Sequence, residues 1–515
     1  MRTSSLIGFS LLLVASNAFA QLTVTSLTEM QRGEVPGSDS TAISTVYEQF
    51  NVDYSQNDLQ IGIRAEVYNV WGADRQITQI TQKYARWSHG SAYIVAGTYY
   101  AMLGRGLTLR AFELPGVVLE SSLYRLRYTP SQDLEGGMAT WTGDKVEFRA
   151  LVGRPAESDV PPGAKRGNPP QTIPRREDWV GGSELSFRPF QPIKVGGTFV
   201  HINPSNQALN NHQAWSALSE IDLTPLLDRT GERGIYGSFY GEYAERFALG
   251  EGGPGGHGLY LAGNIGGGRL GLSAEYKNYT NFTLGFNDPP SLIREHATFL
   301  LNKATHVLLS LNESGYQFEG TYTQPDFATF TGNIAYAKNE LSTTVVKTYK
   351  ERYLAVDLEK FAPAFLTTVY FDWGEDGIEG IEKRRIGGIT LETTPWTDHS
   401  LGFEFQMQQA KRIFGTPPDF WDTYGLVSWQ HPKGFGATLI VDHTTDPFEV
   451  DRPETRAIET GKRTLWSLNL NARFGTQYDA VLFAGERRGG TACTSGTCYQ
   501  VLPFRGLEMR INTYF

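Results

Sequence analysis

The chain has 515 residues, 46 Lys and Arg against 55 Asp and Glu, a formal charge of −9 and a mean hydropathy of −0.32. Beyond the N-terminus no stretch approaches a transmembrane helix, which excludes a helical membrane protein of this size. The acidic balance without a basic block argues against a nucleic-acid partner. A β-barrel tolerates such values, because lumen-facing polar residues dilute the hydrophobicity of each strand. Aromatics at 12 % and 56 Gly suit interfacial girdles and tight turns, as they also suit soluble all-β secreted proteins.

Residues 1–20 read as a secretory signal. Arg2 supplies the positive charge, Leu6 to Ala15 the short apolar run, and Ala18-Phe19-Ala20 the small-x-small cleavage site. Cleavage after Ala20 leaves Gln21, not Cys, at the new terminus, and residues 21–515 as one barrel domain.

Alternation of apolar and polar residues then recurs about every 20 residues. Leu59, Ile61, Ile63, Ala65 and Val67 alternate with Gln60, Gly62, Arg64 and Glu66; Val146, Phe148, Ala150 and Val152 with Glu147 and Arg149. Leu270, Leu272 and Ala274 alternate with Ser273, Glu275 and Lys277; Leu401, Phe403, Phe405 and Met407 with Glu404 and Gln406; and Trp466, Leu468 and Leu470 with Ser467 and Asn469. Runs of this length match the roughly 9–11 residues of a tilted membrane strand and exceed the usual five or six of globular sheets.

Connection lengths sort over the last third of the chain. Gly475-Thr476-Gln477 and His431-Pro432-Lys433-Gly434 are short, whereas 411–420, 445–462 and 489–502 are long. Outer-membrane barrels have short periplasmic turns and long outer loops. Around 280–303 and 351–362 no clean up-down count emerges, and the whole yields roughly 22–26 strands. The expected fold is all-β: a large single-chain antiparallel transmembrane β-barrel with no separate plug domain.

The chain ends Leu507-Glu508-Met509-Arg510-Ile511-Asn512-Thr513-Tyr514-Phe515. Leu507, Met509, Ile511 and Phe515 form one oily row that faces lipid in a closing strand. The row resembles the C-terminal signal that outer-membrane proteins of Gram-negative bacteria present to the barrel-assembly machinery, with Thr513 where a larger apolar residue is usual. Three internal patterns resemble a family of outer-membrane barrels known only as a domain of unknown function. They are Gly97-Thr98-Tyr99-Tyr100 with Gly104-Arg105-Gly106-Leu107 and Leu109-Arg110, then Pro290 to His296 with Leu300-Leu301-Asn302, then Glu313-Ser314-Gly315-Tyr316-Gln317. That resemblance implies a barrel in the bacterial outer membrane and no established activity.

Cys493 and Cys498, the only cysteines, read as a short disulfide in an oxidising compartment. No neighbouring His or second Cys pair completes a metal site. No phosphate-binding loop, zinc-protease motif or nucleophile elbow occurs, so neither an enzyme nor a bound cofactor is expected. Gly104-Arg105-Gly106 reads as a strand kink or a close-packing point, and Arg294-Glu295-His296 as an ion-paired strand start.

The chemistry falls to the inner face. Arg64, Glu66, Glu147, Arg149, Glu220, Asp222, Glu275, Lys277, Glu404, Glu508 and Arg510 are expected there, where mixed charge rows either orient polar solutes or brace a sealed barrel. The expected function is a channel or transporter for polar or amphipathic solutes, with outer-membrane lipid around it. The alternative is a non-conducting scaffold or surface receptor in an envelope complex. Either way a wide barrel needs filling, and the proline-bearing segments 154–181 and 280–293 are the expected constriction.

Overall fold

A computed structural model describes residues 20–515 apart from 35–42, 72–74, 115, 122–126, 157–160, 162–163, 167–170, 173–174, 205–210, 229–230, 232–233, 249–254, 285–286, 288, 291–293, 295, 305–311, 343, 359–364, 397, 415–417, 447–462 and 495–496. The expected secretory signal, apart from Ala20, therefore lies outside the described residues. Twenty-four strands form one antiparallel sheet. The first, Ala20–Glu34, pairs with the last, Phe504–Tyr514, with Thr25 opposite Tyr514 and Glu29 opposite Arg510, and this seam closes the ring. The expected single-chain antiparallel barrel is borne out, at a strand number inside the expected range. Two short helices, Thr224–Leu227 and Phe299–Lys303, are the only ones among the described residues.

Each strand pairs with its neighbours in sequence, so the connections alternate between two rims. One rim carries turns of two or three residues, such as 57–58, 90–91, 143–145, 268–269 and 475–477, with only 223–235 and 359–364 longer. Asn57 and Gly90 take positive φ (50° and 56°), which lets such tight turns close between twisted strands. The other rim carries 100–133, 156–178, 281–311, 445–462 and 488–503. The middle of the chain now counts cleanly. Residues 351–358 finish the strand Val346–Leu358, and 281–311 is one long connection.

The alternation read from the sequence sets the two faces. Ile61, Ile63, Phe148, Leu272, Phe403, Phe405, Met407 and Leu470 all point outward and are exposed. All ten tryptophans are outward too, each at least 36 % exposed. Trp71, Trp179, Trp215, Trp373, Trp421 and Trp466 lie toward the long-loop ends of their strands, and Trp87, Trp141, Trp396 and Trp429 toward the short-turn ends. Two aromatic belts flanking an apolar band are the signature of a wall made for a bilayer, since indole sits best where hydrocarbon meets headgroup.

Candidate functional site

The strand Ala92–Tyr99 pairs directly with Leu134–Thr142, so residues 100–133 leave the wall and return to it. The described ones among them fold into the barrel. Ala101–Leu103 and Leu109–Ala111 form a small hairpin whose turn carries Gly104 (φ 56°) and Gly106 (φ 90°). Gly104-Arg105-Gly106 is therefore a hairpin tip rather than a kink in a wall strand, because two left-handed positions so close reverse the chain. Leu103, Leu107 and Leu109 are fully buried against inward-facing Val180, Val200, Ile202, Ala214 and Ala244. A Cβ on Gly182 would come within 3.2 Å of Leu103, and one on Gly258 within 3.2 Å of Leu107, so both wall positions are shaped for the hairpin.

Polar contacts fix the tip. The Arg105 guanidinium lies over the Tyr240 ring at 4.2 Å, and the Arg105 N–H donates to the Tyr240 hydroxyl at 3.1 Å. Gly104 N–H donates to Glu184 at 3.1 Å. Glu242 accepts from Tyr240 (2.6 Å) and Ser216 (2.7 Å), Ser216 meets Thr198 at 2.7 Å, and Thr198 meets Thr108 of the hairpin at 2.8 Å. Asn287 clasps the hairpin from the next inner connection, donating to Leu107 O at 2.9 Å and accepting from Arg110 N–H at 2.6 Å.

The rest of the segment runs to the seam. Glu113 pairs with Arg64 at 2.6 Å. Arg127, 5 % exposed, lies 2.9 Å from Glu29 of the first strand and 3.7 Å from Glu508 of the last. Arg510 donates to Gly116 O at 2.5 Å. Asp133 pairs with Arg175; burial pushes its carboxyl above the usual carboxylate range while Arg175 pulls it down. The strand bearing Tyr240 and Glu242 is the eleventh of 24 around the wall, so residues 100–133 span nearly the full width of the ring.

A second inner group covers the facing wall. Phe299 stacks on Tyr424 at 4.5 Å, Leu300 N–H donates to Gln406 at 2.8 Å, and His296 lies 3.3 Å from Glu351. Arg384 bonds Asp372 at 2.9 Å and the Ala304 carbonyl at 2.8 Å. Lys303 reaches Gly489 O at 2.7 Å, and Arg488 of the connection 488–503 bonds Asp422 at 2.7 Å and also pairs with Asp442. Arg294 and His296 thus belong to an inner connection and not to a strand start; Glu295 is outside the described residues.

Of the proline-bearing segments expected to narrow the lumen, the described residues of 282–304 point inward, with Phe282, Leu284, Leu300 and Leu301 buried. Of 154–181, Pro161 is buried and Ala164 sits fully buried in a cluster with Leu27, Tyr47 and Tyr68, whereas Pro162, Pro169, Pro170 and Pro174 are outside the described residues. The largest inner segment, 100–133, carries no proline cluster, and the sequence reading missed it. Its signal was the pair of glycines flanked by Leu103, Leu107 and Leu109, opposite wall strands whose inward positions are apolar.

All eleven charged residues expected on the inner face stand opposite the tryptophan-bearing face. Arg64, Arg149 and Arg510 contact the inner segment at Glu113, Met102 O and Gly116 O. Glu66 accepts from Tyr47 (3.0 Å) and Thr81 (2.7 Å), Glu147 pairs with Lys194 at 2.5 Å, and Glu275 accepts from Tyr260 at 3.0 Å. Lys277 and Glu313 pair in full burial, Glu404 accepts from Gln406, and Glu508 takes Arg487 at 2.9 Å. Glu220 is exposed near the short-turn rim, and Asp222 there accepts the Thr224 N–H at 2.9 Å. On the lipid-facing row of the last strand, Leu507 and Phe515 are exposed and Met509 and Ile511 half-buried. No group of three or more potential metal ligands occurs among the described residues. The hairpin Gly490–Thr494/Thr497–Val501 sets Cys493 directly across from Cys498; their side chains are outside the described ones.

Residues 32–157 match the family of unknown function DUF6029. The expected resemblance to a family without assigned activity is borne out over that stretch, which contains the whole inner segment 100–133. No curated protein matches. Among solved structures the chain is similar to the P pilus usher PapC translocation pore, at 8 % identity over 96 % of this chain and 99 % of that one, with a TM-score of 0.48. It is also similar to OpdQ of Pseudomonas aeruginosa (11 %, 72 % and 96 %, TM-score 0.41) and to the siderophore receptor PirA of the same organism (9 %, 96 % and 80 %, TM-score 0.43).

Proposed function

We propose that the protein is an outer-membrane channel or transporter for polar or amphipathic solutes whose lumen is narrowed by its own inner segments. The carrying observation is residues 100–133 crossing a closed ring of 24 strands, anchored at Glu184, Tyr240 and Glu242 on one side and at Glu29 and Glu508 on the other. A ring this wide leaks freely unless filled, and charged rows favour passage of polar solutes beside the fill. With the C-terminus periplasmic, the rim bearing the long connections faces outward. The test is single-channel conductance in a planar bilayer, comparing the wild type with a variant in which Gly-Ser replaces 101–111. We expect a small conductance for the wild type and a severalfold increase for the variant. Equal conductance, or none in either, sinks the reading.

A second reading has its own support: the full burial of Leu103, Leu107 and Leu109 suits a permanently sealed scaffold or receptor. It predicts a silent wild type, with current only once the replacement of 101–111 has removed those leucines.

The register of Cys493 and Cys498 favours a disulfide, worth up to about 3 kcal/mol and less for so short a loop. Unfolded protein should take up maleimide at neither cysteine before reduction and at both after it. Labelling without reductant rules the bond out.

A further inference from the structure

The outer wall carries an apolar groove of about 1070 Å³ across seven neighbouring strands, from Tyr236–Ala248 to Phe365–Asp376. Its floor is low because Gly263, Ala274, Gly320 and Gly332 occupy four of its outward positions. One transverse row of the register runs Phe239, Gly263, Ala274, Phe318, Ile334, Arg352, Trp373, Arg385. The groove therefore leads to an arginine on each side of an outward tryptophan of the long-loop belt. Lys383 lies two residues further toward that rim on the strand of Arg385.

These cations are unusual. Lys350, one step closer to the rim than Arg352, is held by Glu375 at 2.8 Å, and Lys411, directly across from Lys383, by Glu382 at 2.7 Å. Arg352, Lys383 and Arg385 have no ion-pair partner among the described residues, although all are outward and exposed. A guanidinium facing the edge of a bilayer is stable where a phosphate can meet it, and planar bidentate pairing makes arginine the suited residue.

We propose that this surface holds a net-anionic phosphorylated lipid of the leaflet at the long-loop rim, one whose phosphate has no cation of its own headgroup beside it, with that phosphate on Arg352, Arg385 and Lys383 and an acyl chain in the groove over Gly320 and Gly332. Trp373 packs between, at the depth where headgroup meets chain. The proposal rests on the bilayer reading of the outer wall and is independent of conduction.

The test uses purified full-length protein in mixed micelles of phosphatidylglycerol or phosphatidylcholine, with retained lipid counted by native mass spectrometry. The wild type should retain phosphatidylglycerol and not phosphatidylcholine. Each of R352Q and R385Q should weaken retention about fivefold, the size expected for one interfacial cation. G332L should lose the lipid with the cations intact, because its side chain fills the floor beside Leu354, 3.5 Å from a Cβ at that position. Heat-modifiable migration shows that each variant is folded. K383Q, further from the groove, supplies the measurement if the double variant R352Q/R385Q does not fold. Equal retention of both lipids, unchanged retention in the arginine variants, or displacement by inorganic phosphate alone overturns the proposal, the last assigning the cations to a free anion.

Discussion

Deletion of Phe515 is expected to reduce the protein in the outer membrane severalfold, with the remainder degraded in the periplasm. Phe515 does two things in the structure. Its backbone closes the seam, accepting from Val24 N–H at 3.2 Å and donating to Val24 O at 2.8 Å. Its ring, 62 % exposed, ends the lipid-facing row and meets Tyr478 edge-on at 6.2 Å between centroids. Loss of both removes the last apolar residue of the row that barrel-assembly machinery would read, together with two ladder bonds of the strand pair that makes the ring. Tyr514 is on the opposite face, so Tyr514→Ser should be milder. Heat-modifiable protein in outer-membrane fractions measures both; equal levels for wild type and deletion would show that the terminal row is incidental.

The second large effect is expected at Arg127. Its guanidinium is buried between Glu29 and Glu508, with Arg487 and Arg510 on the far sides of the same carboxylates. Arg127→Ala leaves Glu29, 3 % exposed, without its nearest cation, and breaking a buried pair from one side costs about 3–5 kcal/mol. Removing both charges with E29Q/R127M should cost far less, because no buried charge is left uncompensated. Urea midpoints of the detergent-folded protein separate the two. A midpoint for R127A matching the wild type would sink the view that the inner segment braces the seam.

Most of the wall was legible from alternation and connection length, because every residue of a membrane strand answers to one of two solvents. Leu59 to Val67 and Leu401 to Met407 show it directly. The largest part of the fill, residues 100–133, was not legible, and the reason is physical. Leu109-Arg110-Ala111 alternates as a wall strand does and Ala101-Met102-Leu103 is a short apolar run, so alternation alone does not separate a hairpin inside the ring from part of the ring. The wall strands that receive it also depart from polar-inward alternation. Val180, Val200 and Ala214 face inward because they pack on Leu103, Leu107 and Leu109. The pairing of Arg64, Arg149 and Arg510 with Glu113, Met102 O and Gly116 O depends on a segment far away in sequence. Glu29, Arg127, Glu242, Asn287, Arg384 and Arg488 went unnoticed for the same reason: each matters only through a partner that the ring brings close.

A closed sheet fixes its own circumference through strand number and tilt, but it does not fix its cross-section, which can flatten into an ellipse at little cost in backbone pairing. Residues 100–133 run as a tie between the seam and the strand almost opposite it, ending in Arg127 at one end and the Gly104-Arg105 tip at the other. A tie of set length across a flexible hoop determines the hoop's shape. The tie also belongs to the seam: synthesised between the fifth and sixth strands, it grips Glu29 of the first strand and Glu508 of the last, so its anchorage is complete only when the hoop has closed.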